Sequence, residues 1–276
     1  MFKGKRSKFS LRKIIGAIFI SKIIIVLIHV IHAVTLDRVI QYKEVPFYSE
    51  RIPEEMKGYR IAFIVDTHNI SEVRLQEVVR RLNDEELDLL ILGGDFSRGE
   101  GEPARSIEIL SQVVATDGIY GVEGNHDRFR ELFAAMEEHN MHPLSNSGAY
   151  IRENFYLAGV EDIWRRAPDI AEATAGAGED SFVILVSHSP DVSMEQDTRN
   201  VDLILSGHTH GGQITFFGLW APALAIDWVT SYGHRFMSGW AESRDGTPVY
   251  VSNGTAGYYP RVFARPQVIL FTLYPE

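Results

Sequence analysis

Five segments of the chain each run from an apolar stretch into one or two side chains of the kind that ligate metals, and this ordered series constrains the fold most. They end at Asp66-Thr67-His68, Gly94-Asp95, Gly124-Asn125-His126-Asp127, Ser187-His188 and Gly207-His208-Thr209-His210. A strand that stops at a carboxylate, amide or imidazole presents that group at the carboxyl edge of its sheet, where open α/β folds place their sites. Five such strands aimed at one edge could enclose two metal ions.

The rest of the pattern fits that frame. Short β-rich apolar runs fall at 60–65, 87–92, 118–122, 182–186 and 201–205. Helical spacing over 72–82, with Ser71 as N-cap, over 104–114 and over 127–139 separates the earlier ones. Two short strands, 150–152 and 155–160, flank an Asn-containing turn and predict a hairpin, and strands at 249–252 and 267–273 finish the series. Alternating strands and helices followed by a strand-rich half imply an α/β sandwich with mixed sheets rather than a purely parallel one.

The N-terminus reads differently. Residues 1–13 carry six basic side chains and no acid. Residues 14–34 are an apolar run of 21, about the length needed to cross a bilayer as a helix. Lys22 interrupts it at a cost of roughly 3 kcal/mol on insertion scales, which the surrounding Ile, Val and Leu offset. No A-x-A cleavage pattern follows Ile31-His32-Ala33-Val34, so the reading is an uncleaved signal anchor. A cleaved signal peptide and a helix lying on the membrane surface are the alternatives. The basic excess before the run puts the N-terminus in the cytoplasm and the domain outside. The expected organisation is a basic tail over 1–13, an anchor over 14–34, a connector over 35–58 in which a strand begins at 39–42, and one domain over 59–276.

The net charge of −10 hides the +6 of the tail, so the remainder stands at −16. That balance argues against a nucleic-acid-coating surface. With no cysteine, a disulfide framework, a thiolate metal site and a cysteine nucleophile are all excluded.

Two ions about 3.5–4 Å apart need a bridging carboxylate and borderline N/O ligands to activate a water, and His with Asp suits Mn, Fe or Zn. Asp66 and His68, two apart, lie on one side if extended and can reach one ion; His208 and His210 repeat the spacing. Each motif alone has a plainer explanation as a turn, a cap or a buried polar group. Gly-His-Thr-His-Gly-Gly is the most specific single piece, and the five in this order are more specific than any of them.

The series resembles the calcineurin-like metallophosphoesterases, whose motifs are Asp-x-His, Gly-Asp, Gly-Asn-His-Asp or -Glu, a later His and Gly-His-x-His. The likeness runs from about residue 59 to 275. The long form Leu205-Ser206-Gly207-His208-Thr209-His210-Gly211-Gly212-Gln213 with an N-terminal membrane segment is most similar to the bacterial membrane-associated or exported branch, which includes phosphodiesterases and a group that cleaves UDP-diacylglucosamine. The resemblance implies a four-layer αββα sandwich of two mixed sheets. It also implies two divalent ions, Mn favoured. Asp66, His68 and His210 would bind the first, Asn125, His188 and His208 the second, and Asp95 would bridge. His126 would not be a ligand; it would give a proton to, or stabilise, the leaving oxygen. Attack would come in line from a metal-bridging hydroxide with no protein nucleophile.

Two positions depart from the family pattern. Val65 stands where many relatives have Ser, and Phe96-Ser97-Arg98 follows Gly94-Asp95, so the second acid of the protein-phosphatase branch is missing. The expected activity is therefore hydrolysis of a phosphodiester or pyrophosphate, with an amphipathic substrate of the cell envelope as one candidate. A phosphomonoesterase is the alternative, as is a UDP-diacylglucosamine-type pyrophosphohydrolase if the domain is cytoplasmic; a non-catalytic metal scaffold ranks last. Arg98 is a candidate phosphate contact, a solvated loop arginine being the simpler reading. Asp127 is expected to cap a helix or orient a ligand. His139, His142 and His234 read as surface or packing residues. The aromatic stretch from Phe216 through Trp228 to Trp240 is either ordinary packing or an apolar lip that receives a lipid or rests on the bilayer. No nucleic-acid or protein partner is expected.

Overall fold

The computed structural model describes residues 11–68, 70–97, 103–226 and 229–276. The apolar run forms α1 (Leu11–Val34), 24 residues with none buried, which at 1.5 Å per residue reaches about 36 Å. It is the one described helix long and apolar enough to cross a membrane.

Among the described residues twelve strands follow: β1 (Gln41–Ser49), β2 (Arg60–Ile64), β3 (Leu89–Leu92), β4 (Ile119–Gly121), β5 (His142–Pro143), β6 (Ser147–Arg152), β7 (Phe155–Gly159), β8 (Phe182–Val186), β9 (Leu203–Ser206), β10 (Gly239–Glu242), β11 (Pro248–Val251) and β12 (Gln267–Pro275). The connections hold α2 (Glu72–Asn83), α3 (Ala104–Leu110), α4 (Phe129–Glu138), α5 (Ile170–Thr174), α6 (Val192–Glu195) and α7 (Pro222–Ala225). The strands make two six-stranded sheets, in the orders β1-β12-β2-β3-β4-β5 and β10-β11-β9-β8-β7-β6. Both are mixed: β2 through β5 run parallel while β12 opposes β2. In the second sheet β7, β8, β9 and β11 are parallel, and β6 and β10 are antiparallel edges.

Period-two alternation sorts the side chains into three layers. On β2, Ile61 and Phe63 enter the layer between the sheets, where Phe155, Phe182, Ile184 and Leu205 meet them from the second sheet. Ala62 and Ile64 face the other way, onto Leu75 and Val78 of α2, with Leu110 of α3 and Leu132 of α4 in the same cluster. The outer face of the second sheet, through Val183 and Leu185, packs on Ile170, Val192 and Phe236. Strands covered on both faces read as continuous apolar runs, which is why the central ones were legible from composition alone.

Three departures from the expected elements have physical reasons. The stretch read as a connector with a strand beginning at 39–42 instead carries β1, nine residues paired in parallel with β12 from Gln41↔Gln267 to Ser49↔Pro275. As an edge strand buried only at alternate positions, it lacks the apolar continuity of its neighbours. The two-residue β5 and the edge β10 were not foreseen, because neither has a run long enough to show a period. Ser71 precedes α2 but makes no side-chain capping bond; its carbonyl accepts from Arg74 and Leu75 instead.

Candidate metal centre

The ligand-type residues follow the carboxyl ends of five strands drawn from both sheets. Asp66 and His68 leave β2, Asp95 leaves β3, and Asn125 and His126 leave β4; His188 leaves β8, and His208 and His210 leave β9. The site therefore straddles the common edge of the sandwich.

Local backbone turns the side chains inward. The expectation that Asp66 and His68 share a side through extended backbone is corrected here: their φ angles are 55° and 41°. Asp95, His208 and His210 are also left-handed, at 59°, 67° and 52°. Such residues each cost on the order of 1–3 kcal/mol and persist where surrounding structure holds them. Gly94 explains how the chains come so close. At φ 95° it packs against the β4 loop, where a Cβ would lie 2.6 Å from the Gly124 nitrogen.

The centre resolves into two overlapping clusters, Asp66 with His68 and His210, and Asp66 with Asp95 and His188. His68 Nε2 stands 3.1 Å from His210 Nε2, 3.6 Å from Asp66 Oδ1 and 3.5 Å from Asp95 Oδ2. His188 Nε2 stands 3.3 Å from the same Asp95 oxygen and 3.1 Å from Asn125 Oδ1. Asp95 Oδ2 thus lies between two imidazoles that belong to different sheets. His208 sits beside this group, its ring 5.1 Å from that of His188 and its backbone N–H donating to Asp66 Oδ2 at 3.0 Å. The half-buried ring of His126 is 5.4 Å from that of His68, and its N–H donates to Asp95 Oδ1 at 2.8 Å. All eight residues singled out from sequence converge on one place.

The donor chemistry fits cations. His188 Nδ1 lies 2.8 Å from the Gly93 carbonyl and His68 Nδ1 lies 3.3 Å from the Ser97 carbonyl. A carbonyl only accepts, so each Nδ1 carries a proton and each ring presents its Nε2 to carboxylate and amide oxygens. Asp66 Oδ1 is buried with no hydrogen-bond partner among the described residues. Carboxylates and imidazole nitrogens gathered this closely are a donor set that holds positive charge, as ring protons or as a divalent ion.

Among the site's own side chains, opposite charges offset burial. Burial alone would raise Asp66, but the imidazoles of His210, His68 and His188 outweigh it and hold its carboxyl below the usual range. Burial likewise opposes ionisation of Asp95, yet His188 brings it down to about 2. His188 opposes its own burial with the Asp95 and Asp66 charges and is raised well above normal. Burial drives His208 down to about 4 and His210 down to about 3.

Two further residues shape the centre. Asp127 was expected to cap a helix or orient a ligand. The N-cap of α4 is Arg128, and the Asp127 carboxylate instead accepts four backbone N–H groups, from Asp95 (2.7 Å), Phe96 (2.9 Å), Ser97 (3.0 Å) and Gly124 (3.0 Å). It ties the β3 and β4 loops together. Arg261 was missed by sequence reasoning. Fully buried, it donates to the carbonyls of Asn253, Ala264 and Ala256, and its Nη2 lies 3.1 Å from His210 Nδ1. Its only sequence signal was a lone arginine in the aromatic segment 258–263.

The lesser candidates separate. His142 stacks on Tyr120 at 4.6 Å, His234 Nε2 accepts from the Ala221 N–H, and His139 follows the last residue of α4. Phe236 is core and Trp240 packs on Phe47 and Tyr250, whereas Phe216, Leu219 and Trp220 are exposed. Arg98 and Trp228 lie outside the described residues.

Comparison with known proteins finds a match to the family model of the calcineurin-like phosphoesterases over residues 59–212, an interval containing all eight site residues. An uncharacterized metallophosphoesterase of Helicobacter pylori is 29% identical over 244 residues, covering 83% of this chain and 62% of its own. A transmembrane protein with metallophosphoesterase domain from Bos taurus is 31% identical over 241 residues, covering 78% and 52%. An uncharacterized metallophosphoesterase of Bacillus subtilis is 26% identical over 246 residues, covering 82% of each. The chain thus spans less than two thirds of the Helicobacter relative and about half of the bovine one.

Proposed function

The chain belongs to the calcineurin-like phosphoesterase family; from that premise we propose that it is a metal-dependent phosphoesterase that hydrolyses a phosphodiester or pyrophosphate at a centre of two divalent ions. Asp66, His68 and His210 would hold one ion, Asn125, His188 and His208 the other, with Asp95 between them. The observation that carries the reading is the orientation of His68 and His188, each with Nδ1 tied to a carbonyl and Nε2 turned toward the carboxylates. Ions held there would supply Lewis acidity to the phosphoryl oxygens and to a water nucleophile.

The chain's own residues do the remaining work. His126 hangs half-buried at the edge of the cluster with its backbone fixed by Asp95. Burial lowers its pKa, which leaves less of the ring protonated near neutral pH but makes the protonated form a stronger acid toward a leaving alkoxide. A cavity of about 540 Å³ opens beside it, lined by Arg128, Phe129, Arg165 and Arg166. That space on the His126 side favours a substrate with an organic group beyond the phosphorus, a diester, over a bare monoester. Arg165 Nε donates to the Asn125 carbonyl at 2.9 Å, so the same wall holds the ligand loop.

On this reading α1 anchors the protein in a membrane, supported by its length and apolar composition; the basic excess before it favours a cytoplasmic N-terminus with the domain outside, and the substrate we favour is amphipathic. The full chain in detergent, assayed on bis-p-nitrophenyl and p-nitrophenyl phosphate with Mn²⁺ or with chelator, tests the reading. Metal-dependent cleavage that favours the diester is expected; a preference for the monoester would replace it with the phosphatase reading. Protease protection of the domain in intact cells would overturn the orientation.

A further inference from the structure

The exposed aromatic segment after His210 is not an isolated loop. Residues 213–220 form a closed hairpin, with Phe216 N–H donating to the Trp220 carbonyl at 2.7 Å and Gly218 N–H to Thr215 Oγ1 at 2.8 Å. Thr215 N–H and Val262 N–H stitch it to the 258–264 segment. Its tip leaves large apolar side chains in the open: Leu219 is 78% exposed, Phe216 51% and Trp220 50%. A rigid hairpin built to hold such groups outward, rather than fold them in, marks an interaction surface.

The occupant is indicated by what the hairpin touches. Phe216 and Phe217 pack on His29 of α1, with ring centroids 5.4 and 4.5 Å away, and Phe263 stacks on His32 at 3.9 Å. His29 lies one and a half turns before the end of α1, about 7.5 Å along the axis at 1.5 Å per residue. If α1 spans the bilayer from 14 to 34, the hairpin sits at the depth where apolar side chains meet the base of the headgroup layer. Arg38, Arg74 and Arg265 border the same end, and among the described residues none forms an ion pair. Arg38 covers the Tyr259 ring at 5.5 Å, Arg74 donates to the Tyr259 hydroxyl at 3.0 Å, and Arg265 donates to the Val39 carbonyl at 2.9 Å. An apolar tip, interfacial Trp and Tyr, and unpaired arginines match the layering of an anionic leaflet.

We infer that the 213–220 hairpin, with Tyr259 and these arginines, is a second membrane contact that docks the domain onto the leaflet from which α1 emerges. The inference rests on α1 being the membrane span. It also fixes the pose of the metal centre: Gln213 follows the His210-Gly211-Gly212 turn, and the Tyr258 ring lies 5.6 Å from that of His68. The docked surface and the rim of the site are one segment, so the centre opens at the headgroup level, where an amphipathic phosphodiester is presented.

Because the chain has no cysteine, single thiols can be placed without background. Leu219→Cys, Ile23→Cys and Glu179→Cys full-length proteins would each carry an environment-sensitive fluorophore, in vesicles of phosphatidylcholine with phosphatidylglycerol bearing a nitroxide high on the acyl chain. Glu179 is the aqueous control. Its carbonyl receives Arg51, just past the far end of β1, which runs roughly 26 Å from the α1 side. Docking predicts a blue-shifted label at 219 that the nitroxide quenches several-fold more than the label at 179, with weaker quenching when phosphatidylglycerol is omitted. A label at 219 that behaves like 179 while 23 is quenched overturns the docking and leaves the span standing. An unquenched label at 23 overturns the span reading itself.

Discussion

At the residue scale the centre depends on side chains that hold other side chains. Asp127 illustrates this: of the two roles expected from sequence, a helix cap or a support for a ligand, it does not cap α4, and its carboxylate collects four amides from the two loops that carry Asp95 and Asn125. Asp127→Ala leaves those buried donors without an acceptor, so a loss of roughly 3 kcal/mol in stability is expected. Metal affinity should fall about 10–100-fold, as for other groups that support a metal ligand; chemical denaturation and metal titration measure the two effects. His126 behaves oppositely. His126→Ala should lower turnover by ~10²–10⁴-fold, the range for a lost general acid, while metal content stays unchanged. Loss of metal in that variant would make His126 a ligand and not the acid.

At the element scale a buried carboxylate joins the aromatic contacts of His29 and His32 in tying α1 to the domain. Asp37 is fully buried and accepts from the Phe263 N–H at 2.9 Å and the Ala264 N–H at 3.2 Å, with His32 Nδ1 2.7 Å from the same carboxylate. Local sequence offers no hint of this, since Leu36-Asp37-Arg38 reads as an ordinary polar exit from an apolar helix. Asp37→Ala strands two buried amides and should cost about 1–3 kcal/mol. It should also speed proteolysis between α1 and β1 without altering turnover on a soluble diester. Unchanged proteolysis would mean that the aromatic contacts alone fix the helix. The same distance problem hides β1, whose partner β12 is 226 positions away along the chain.

At the scale of the whole molecule, stability comes from the layer between the sheets and is taxed by buried charge. Phe155 packs 5.7 Å from Phe182 and 5.6 Å from Tyr59, ring to ring, and Phe155→Ala should cost about 3–5 kcal/mol in denaturant unfolding. Glu123 is the tax. It is 1% exposed, neither carboxylate oxygen has a hydrogen-bond partner among the described residues, and Arg166 Nε is 3.5 Å away. Burial pushes it up from 4.5 to about 7. Between those values the folded chain holds a proton that the unfolded chain has released, so this group's contribution falls as pH rises through the window. Glu123→Gln should flatten that slope and stabilise the protein above pH 7 by up to about 3 kcal/mol. Equal denaturation midpoints for variant and parent at both ends of the window would refute the shift.

The sequence by itself determined which strands are central and which side chains stand at their ends. A strand buried on both faces must be continuously apolar, and a polar residue that ends such a run has to lie at the sheet edge. Hence Asp66, Asp95, Asn125, His188 and His208 were legible before any coordinates. Tertiary structure alone decided how those ends meet. The left-handed turns at Asp66, His68, Asp95, His208 and His210, the amide clamp of Asp127, the reach of Arg261 to His210, and the hairpin packed on His29 all depend on groups far apart in the chain. Their cause is long-range: each is held by backbone amides, carbonyls or rings from another element, and such partners leave no trace in local composition or period.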